Sequence, residues 1–215
     1  MIESAHGIIL RTRPLTETSL IVHWLTPHFG RIATVAKGAR RTKSLFAGKL
    51  DLFYLADFSF SRSRHSDLHM LREVGLRETH GALRVDILKL RQAAYAAAFI
   101  EQATETETPL AHVFELLRGF LGCLSRENPS PQIVFTFELK LLRELGLEPD
   151  WREARLTAGG KQIVRVFLES DWPKCLRLKL TKAQTVELRQ FLHGFLIFHL
   201  EKLPKGRATA VADGI

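Results

Sequence analysis

A chain of 215 residues with 46% hydrophobic content is long enough to bury one large core or two modest ones. Its 31 Lys and Arg against 23 Asp and Glu give a net charge of +8, which favours acidic partners, nucleic acid or an anionic membrane surface, and says nothing of fold. No apolar run approaches the roughly 18 residues of a spanning helix, the opening MIESAHGIILRTR lacks the layout of a signal peptide, and Cys123 and Cys175 are too few for a disulfide framework. These exclusions predict a cytoplasmic protein without a membrane span, with its two thiols buried or inert.

The first 80 residues have the alternation of strands. Gly7 to Arg13 is a β-rich run ended by Pro14, and Ser19 to Thr26 alternates Leu20, Val22 and Trp24 with Ile21, His23 and Leu25. Pro27 to Gly30 supplies turn chemistry before Arg31 to Lys37. Leu52 to Arg62 and Asp67 to Glu78 complete five strands. Five short strands with one longer connection after the third fit a small closed barrel of the oligonucleotide-binding type better than a sandwich. That connection carries the charge. From Gly30 to Gly48 the chain has Arg31, Lys37, Arg40, Arg41 and Lys43, with Lys49 just beyond, and no Asp or Glu. A glycine-containing loop of this kind can lay several cations along a phosphate backbone; the competing reading is a solvated surface loop.

Beyond Leu83 the period becomes helical. Arg84 to Ala103 is alanine-rich with an apolar face, Thr108 and Pro109 resemble an N-cap followed by a first-position proline, and Ser130 and Pro131 repeat the device. Gly146 reads as the left-handed cap of the third helix, and Thr181 with Gln184 as the capping box of a fourth, stopped by Pro204. Between Glu148 and Lys179 the pattern fails: Gly159 and Gly160 suggest a turn, Ile163 to Leu168 a strand, and Trp172 with Pro173 a helix breaker. This is expected to be an irregular insert. Residues 206–215 read as a flexible tail.

Catalytic signatures are missing: no Walker loop, no GxGxxG after a strand, no GxSxG and no HExxH. His65 and His69 share a strand face but have no third or fourth ligand, so metal is not expected there. Glu101, Glu105 and Glu107 read as solvated acids where one helix frays and the next begins.

The stretch from Gly7 to Arg64, with its HFGRI and KGARR elements, resembles the N-terminal barrel of the recombination mediator RecO family. LREVGLRET, FELKLLRELGLEPD and FLHGFLIFHLEKLPKGR resemble that family's C-terminal half. The resemblance implies a non-enzymatic, nucleoid-associated DNA repair protein that binds single- and double-stranded DNA and anneals complementary strands. It also implies work with RecR to load RecA onto strands covered by single-strand-binding protein, whose acidic C-terminal tail docks on the helical half. Many members hold zinc through cysteines in the insert. Here only Cys175 stands between Trp151 and Lys179, so no zinc and no other cofactor is expected. Trp151, Val164, Val166, Phe167 and Trp172 are candidates for an apolar cluster in its place.

These readings predict a DNA-binding barrel over 1–80, a helical domain over 81–205 with the insert at about 148–179, and a tail over 206–215. The expected phosphate contacts are Lys37, Arg40, Arg41 and Lys43, then Arg31 and Lys49, with Arg11, Arg13, Arg62 and Arg64 as possible extensions at strand ends. Phe29, Phe46 and Tyr54 are candidate base stackers that an inward-packing strand would instead bury. Lys140 and Arg143 are candidates for the acidic tail. The alternative is a protein-interaction adaptor with only incidental DNA binding.

Overall fold

The computed structural model describes residues 2–212. The chain forms two compact units: one holds the residues up to Gly81 together with Thr104–Arg118, the other Ala82–Ala103 and the residues from Gly119 onward.

The first unit is built on five strands, β1 (Ile2–Pro14), β2 (Leu20–Thr26), β3 (Gly30–Ala36), β4 (Leu55–Ser61) and β5 (Leu68–Glu78). They close into a barrel in the order β1-β2-β3-β5-β4. The expected oligonucleotide-binding topology is therefore present. β1 is long enough to serve two neighbours: Ile2 to Ile8 pair with β4, and Ile8 to Pro14 pair with β2 past an irregularity between Ile9 and Arg11. A short parallel pairing, Ala33 to Leu68 through Val35 to Met70, closes the ring. Alternation places Val22, Trp24, Ile32, Phe58 and Phe60 inside. Trp24 stacks on Phe58 with ring centroids 4.1 Å apart and donates its indole N–H to Thr34 Oγ1 at 2.9 Å, so its one polar atom is satisfied within the core.

Residues 104–118 belong with the barrel, although the helical period begins near residue 84. Thr106 bridges to Arg31, Glu107 N–H donates to Arg31 C=O at 3.0 Å, and Leu110 N–H donates to Pro27 C=O at 3.2 Å. These bonds hold Thr108 and Pro109 outside the helix and against the β2–β3 turn, so the helix starts only at Ala111 and Thr108 is not its cap. The approach is close: a Cβ on Gly30, which sits at φ +62°, would lie 1.8 Å from Thr108 O.

The second unit is helical. Its elements are α1 (Ile87–Ala103), the latter part of α2 (Ala111–Arg126), α3 (Pro131–Glu144), α4 (Ala158–Glu169), α5 (Trp172–Arg177), α6 (Lys182–Leu200) and α7 (Arg207–Ala210). α3 is the central rod, buried continuously from Ile133 to Leu142. Its C-terminus follows the expected glycine cap: Gly146 sits at φ +71°, its N–H donates to Arg143 C=O, and Leu147 N–H donates to Leu142 C=O. The capping box of Thr181 and Gln184 is present at the head of α6.

The insert is irregular only up to residue 157; beyond it the chain is mostly helical. Gly159 and Gly160 lie in the first turn of α4, where Thr157 Oγ1 caps Gly160 N–H at 3.1 Å. A Cβ added at 160 would meet Glu187 Oε2 at 2.7 Å, so the Glu187 side chain would have to shift. The run Ile163 to Leu168 is thus helix, not strand; its buried members Ile163, Val164, Phe167 and Leu168 recur at helical spacing. Trp172 and Pro173 open α5 behind the N-cap Asp171, since proline lacks only an N–H that a first turn leaves unused. Of the proposed apolar cluster, Val164 and Phe167 are buried and Trp172 packs on Phe120 at 5.9 Å, while Trp151 lies beside the Arg152 guanidinium.

Residues 206–212 also depart from expectation, while 213–215 lie outside the described residues. α7 carries Arg207, 3% exposed, to the fully buried Glu138 of α3, with two bonds of 2.7 and 2.9 Å. Tyr95 of α1 donates its hydroxyl to the same carboxylate at 2.5 Å. Burial, then the Glu138 charge, holds the Tyr95 phenol well above its usual pKa, so it stays a donor. Gln92 Nε2 donates to Ala210 C=O and Arg189 donates to Val211 C=O, which fastens the segment at three points.

Two outcomes follow. Arg207→Ala leaves Glu138 buried without its partner and is expected to lower stability by about 3 to 5 kcal/mol, measured by denaturant unfolding. Gly30→Ala is expected to cost on the order of 2 to 4 kcal/mol, whereas Gly48→Ala should cost about 1 kcal/mol. Gly48 has the similar φ of +71°, but nothing lies within 4 Å of its added Cβ, so the pair separates backbone strain from steric contact.

Candidate nucleic-acid interface

The connection from Ala36 to Leu55 is a chain of tight turns. Ala39 N–H donates to Ala36 C=O, Arg41 to Gly38, Ser44 to Arg41, Ala47 to Ser44 and Lys49 to Phe46. Gly38 and Gly48 supply the left-handed positions. Phe46, 8% exposed, sits in the barrel core, and Ala39 and Leu50 pack against the same cluster. Residues 40–45 therefore project between anchors on either side. The loop is also bonded to the β1–β2 hairpin: Arg40 N–H donates to Thr18 C=O at 2.9 Å, Arg40 Nη1 to Thr16 C=O at 3.3 Å, and Gly38 N–H to Ser19 Oγ at 3.4 Å.

This arrangement brings the predicted cations together on one exposed segment. Lys37, Arg40, Arg41 and Lys43 are exposed and Lys49 is half-buried. Among the described residues, no side-chain hydrogen bond or ion pair occupies Lys37, Arg41 or Lys43, whose charges face solvent. The loop lies beside the end of β1, where Arg11 and Arg13 are exposed and pair across the sheet with His23 and Ile21. His23 registers that concentration of charge. Burial first, then Arg11 and Arg13 of β1 and Arg31 of β3, lower its pKa to about 4, so the ring is neutral at pH 7. The one mark of His23 in the sequence is its place in the alternating run of β2, which the sheet register sets across from Arg11.

Other predicted cations are engaged elsewhere. Arg31 is half-buried and donates to Thr104 Oγ1 at 2.8 Å and to Thr104 C=O, holding residues 104–107 against β3. Arg62 is bonded to Glu3 at 2.8 Å and Glu107 at 3.0 Å, and it covers the Phe29 ring at 5.6 Å. Glu107 is therefore an ion-pair partner, and not merely a solvated acid; His69 Nε2 also lies 3.3 Å from it. His69 is buried and stacks on Phe60, while His65 is exposed before β5 begins, so the two do not share a strand face. Phe46 is a core residue, and Phe29 and Tyr54 are half-buried against the same core.

Lys140 and Arg143, the residues expected to meet the acidic tail, both reach carbonyls within the helical unit. Lys140 is 9% exposed and donates to Ser170 C=O at 2.7 Å, and Arg143 donates to Leu168 C=O. Both satisfy carbonyls that the end of α4 would otherwise leave unpaired. Burial lowers the Lys140 pKa, which accords with an ammonium withdrawn from water. Cys123 and Cys175 are buried free thiols, the first pushed up to about 11 chiefly by burial and the second also raised. Among the described residues, no three His, Cys, Asp or Glu side chains are grouped where they could hold a metal ion. Among the described residues, no helix is long and apolar enough to cross a membrane.

Both halves of the chain have recognisable relatives. Residues 1–80 match the family described as Recombination protein O N terminal, and residues 84–154 match Recombination protein O C terminal. A protein named DNA repair protein RecO from Anaeromyxobacter dehalogenans is 34% identical over 143 residues, covering 66% of this chain and 56% of the relative. One of the same name from Listeria monocytogenes is 34% identical over 148 residues, covering 68% and 57%, and one from Rhodopirellula baltica is 32% identical over 143 residues, covering 66% and 53%. The matched region thus spans a little over half the length of these curated relatives. A closed barrel carrying the KGARR loop, followed by a helical unit centred on FELKLLRELG, with each half matched by the corresponding family description, means that the chain belongs to the RecO family.

Proposed function

We propose that this chain is a non-enzymatic DNA-binding protein of recombinational repair, which binds single- and double-stranded DNA through its barrel and anneals complementary strands. In this reading it acts in the cytoplasm with RecR, helps load RecA onto DNA coated with single-strand-binding protein, and receives the acidic tail of that protein on its helical unit. The supporting observation is the division of the cations. Arg31, Arg62, Lys140, Arg143 and Arg207 hold the protein's own oxygens, whereas Lys37, Arg41 and Lys43 project to solvent on an anchored loop with no carboxylate from Gly30 to Leu50. Cations placed in this way neutralise a polyanion without giving up an internal bond. The strand is proposed to continue from the loop along Arg13 and Arg11, since the loop is bonded to the hairpin that follows them.

Replacing Lys37, Arg40, Arg41 and Lys43 by Ala is expected to flatten the dependence of log affinity on log salt by up to about 3 units on a single strand, at roughly 0.7 per lost phosphate contact. The melting transition should be preserved, because these side chains are exposed. Wild-type affinity and slope in this variant would favour the adaptor reading.

His23 supplies a pH test. Burial, the larger cause of the low His23 pKa, remains in the complex, but phosphates lying on Arg11 and Arg13 would offset the arginine contribution, so the bound protein takes up part of a proton as pH falls toward 4. Affinity for oligo-dT is expected to rise as pH falls from about 6.5 toward 4, and His23→Gln should remove that component. An NMR titration in which the His23 pKa is the same with and without oligo-dT would place the strand elsewhere.

A further inference from the structure

A single exposed leucine is ordinary on a protein surface. Leu45 differs in its setting. It is 83% exposed, yet the next residue, Phe46, is 8% exposed and fixed in the barrel core. The turns from Gly38 to Arg41, Arg41 to Ser44 and Ser44 to Ala47 set the backbone of this segment, so Leu45 projects while its neighbour is buried. The anchors at Ala39 and Phe46 place Leu45 on the same projecting segment as Arg41 and Lys43. No acidic residue lies between Gly30 and Leu50.

An apolar side chain among cations calls for a partner that is both polyanionic and apolar. Nucleic acid has both properties, but differently in its two forms. A duplex keeps its base faces stacked on one another and yields them to an apolar side chain only at the cost of unstacking a base step, whereas an unpaired strand exposes the faces without that cost. Apolar side chains such as Leu are known to pack against unstacked bases.

We propose that Leu45 packs against base faces of an unpaired strand whose phosphates lie on Arg41 and Lys43, and so gives the barrel loop a preference for single over double strands. The proposal rests on the DNA-binding reading above and adds the determinant of strand form. The cations supply the salt-dependent part of affinity, and Leu45 supplies a part independent of salt and dependent on bases.

The test compares the full chain with Leu45→Ser and Leu45→Trp on three probes of equal length: oligo-dT, an abasic strand and a duplex. Leu45→Ser is expected to weaken oligo-dT binding about 5-fold, with the salt slope, the melting transition and the affinity for abasic strand and duplex unchanged. Leu45→Trp should bind oligo-dT at least as tightly as wild type, because an indole ring stacks on bases better than an isobutyl group. An unchanged oligo-dT affinity in Leu45→Ser, or an equal loss on all three probes, overturns the proposal while leaving the DNA-binding reading intact. Wild-type protein that binds none of the probes overturns that reading itself. Sedimentation with phosphatidylglycerol vesicles that depends on Leu45, together with DNA binding that does not, would assign the side chain to an anionic lipid surface and overturn the proposal.

Discussion

Burial of Phe46 is the constraint on which the candidate interface depends. A five-stranded sheet that closes on itself must carry the chain from β3 to β4 outside the ring, and a connection of that length would wander without an internal hold. Phe46 provides the hold by entering the core formed around Trp24, Phe58 and Phe60, with Ala39 and Leu50 packed beside it. The intervening segment is then shaped by successive turns and by bonds to the β1–β2 hairpin. The backbone that carries Lys37, Arg41 and Lys43 is thereby held while their charges face solvent, which lowers the conformational cost of meeting a ligand.

A second theme is the satisfaction of backbone oxygens by long cationic side chains. The end of α4 receives Lys140 and Arg143, and residue 104 receives Arg31. Lys140, which is withdrawn from water, needs the Ser170 oxygen within hydrogen-bond reach, since removing an ammonium from water without such a partner is prohibitive. The same requirement explains Glu138, which lies in the middle of the buried face of α3 and is compensated by Arg207 and Tyr95 from opposite ends of the helical unit's sequence. A net charge of +8 therefore overstates the cations available to an external partner.

Glycine has two different uses in the barrel unit. Gly30 permits a close approach between the β2–β3 turn and Thr108, which joins residues 104–118 to the barrel. Gly38 and Gly48 give the basic loop its left-handed turns, with open space around Gly48. The first use is dictated by a neighbour remote in sequence, the second by local backbone geometry.

That distinction also separates what the sequence determined from what only tertiary structure decided. Alternation of apolar residues was enough to place the five strands, because one face of each must enter the core. Local hydrogen-bond chemistry was enough for Gly146 and for the Thr181–Gln184 box, since their partners lie within a few residues. The clustering of Lys37, Arg40, Arg41 and Lys43 was likewise visible, as they are close neighbours in the chain. Local pattern misled where the deciding partner was distant. Gly159 and Gly160 resembled a turn, but Thr157, itself bonded to Glu187, caps the helix they begin, and Thr108 resembled a cap until Arg31 and Pro27 claimed the backbone around it. Arg207 stood in a stretch of small and polar residues whose order comes from Glu138, 69 positions earlier. Which cations hold the protein's own oxygens and which face solvent followed from the same cause: a charge is visible in the sequence, but the atom that neutralises it is chosen by the fold.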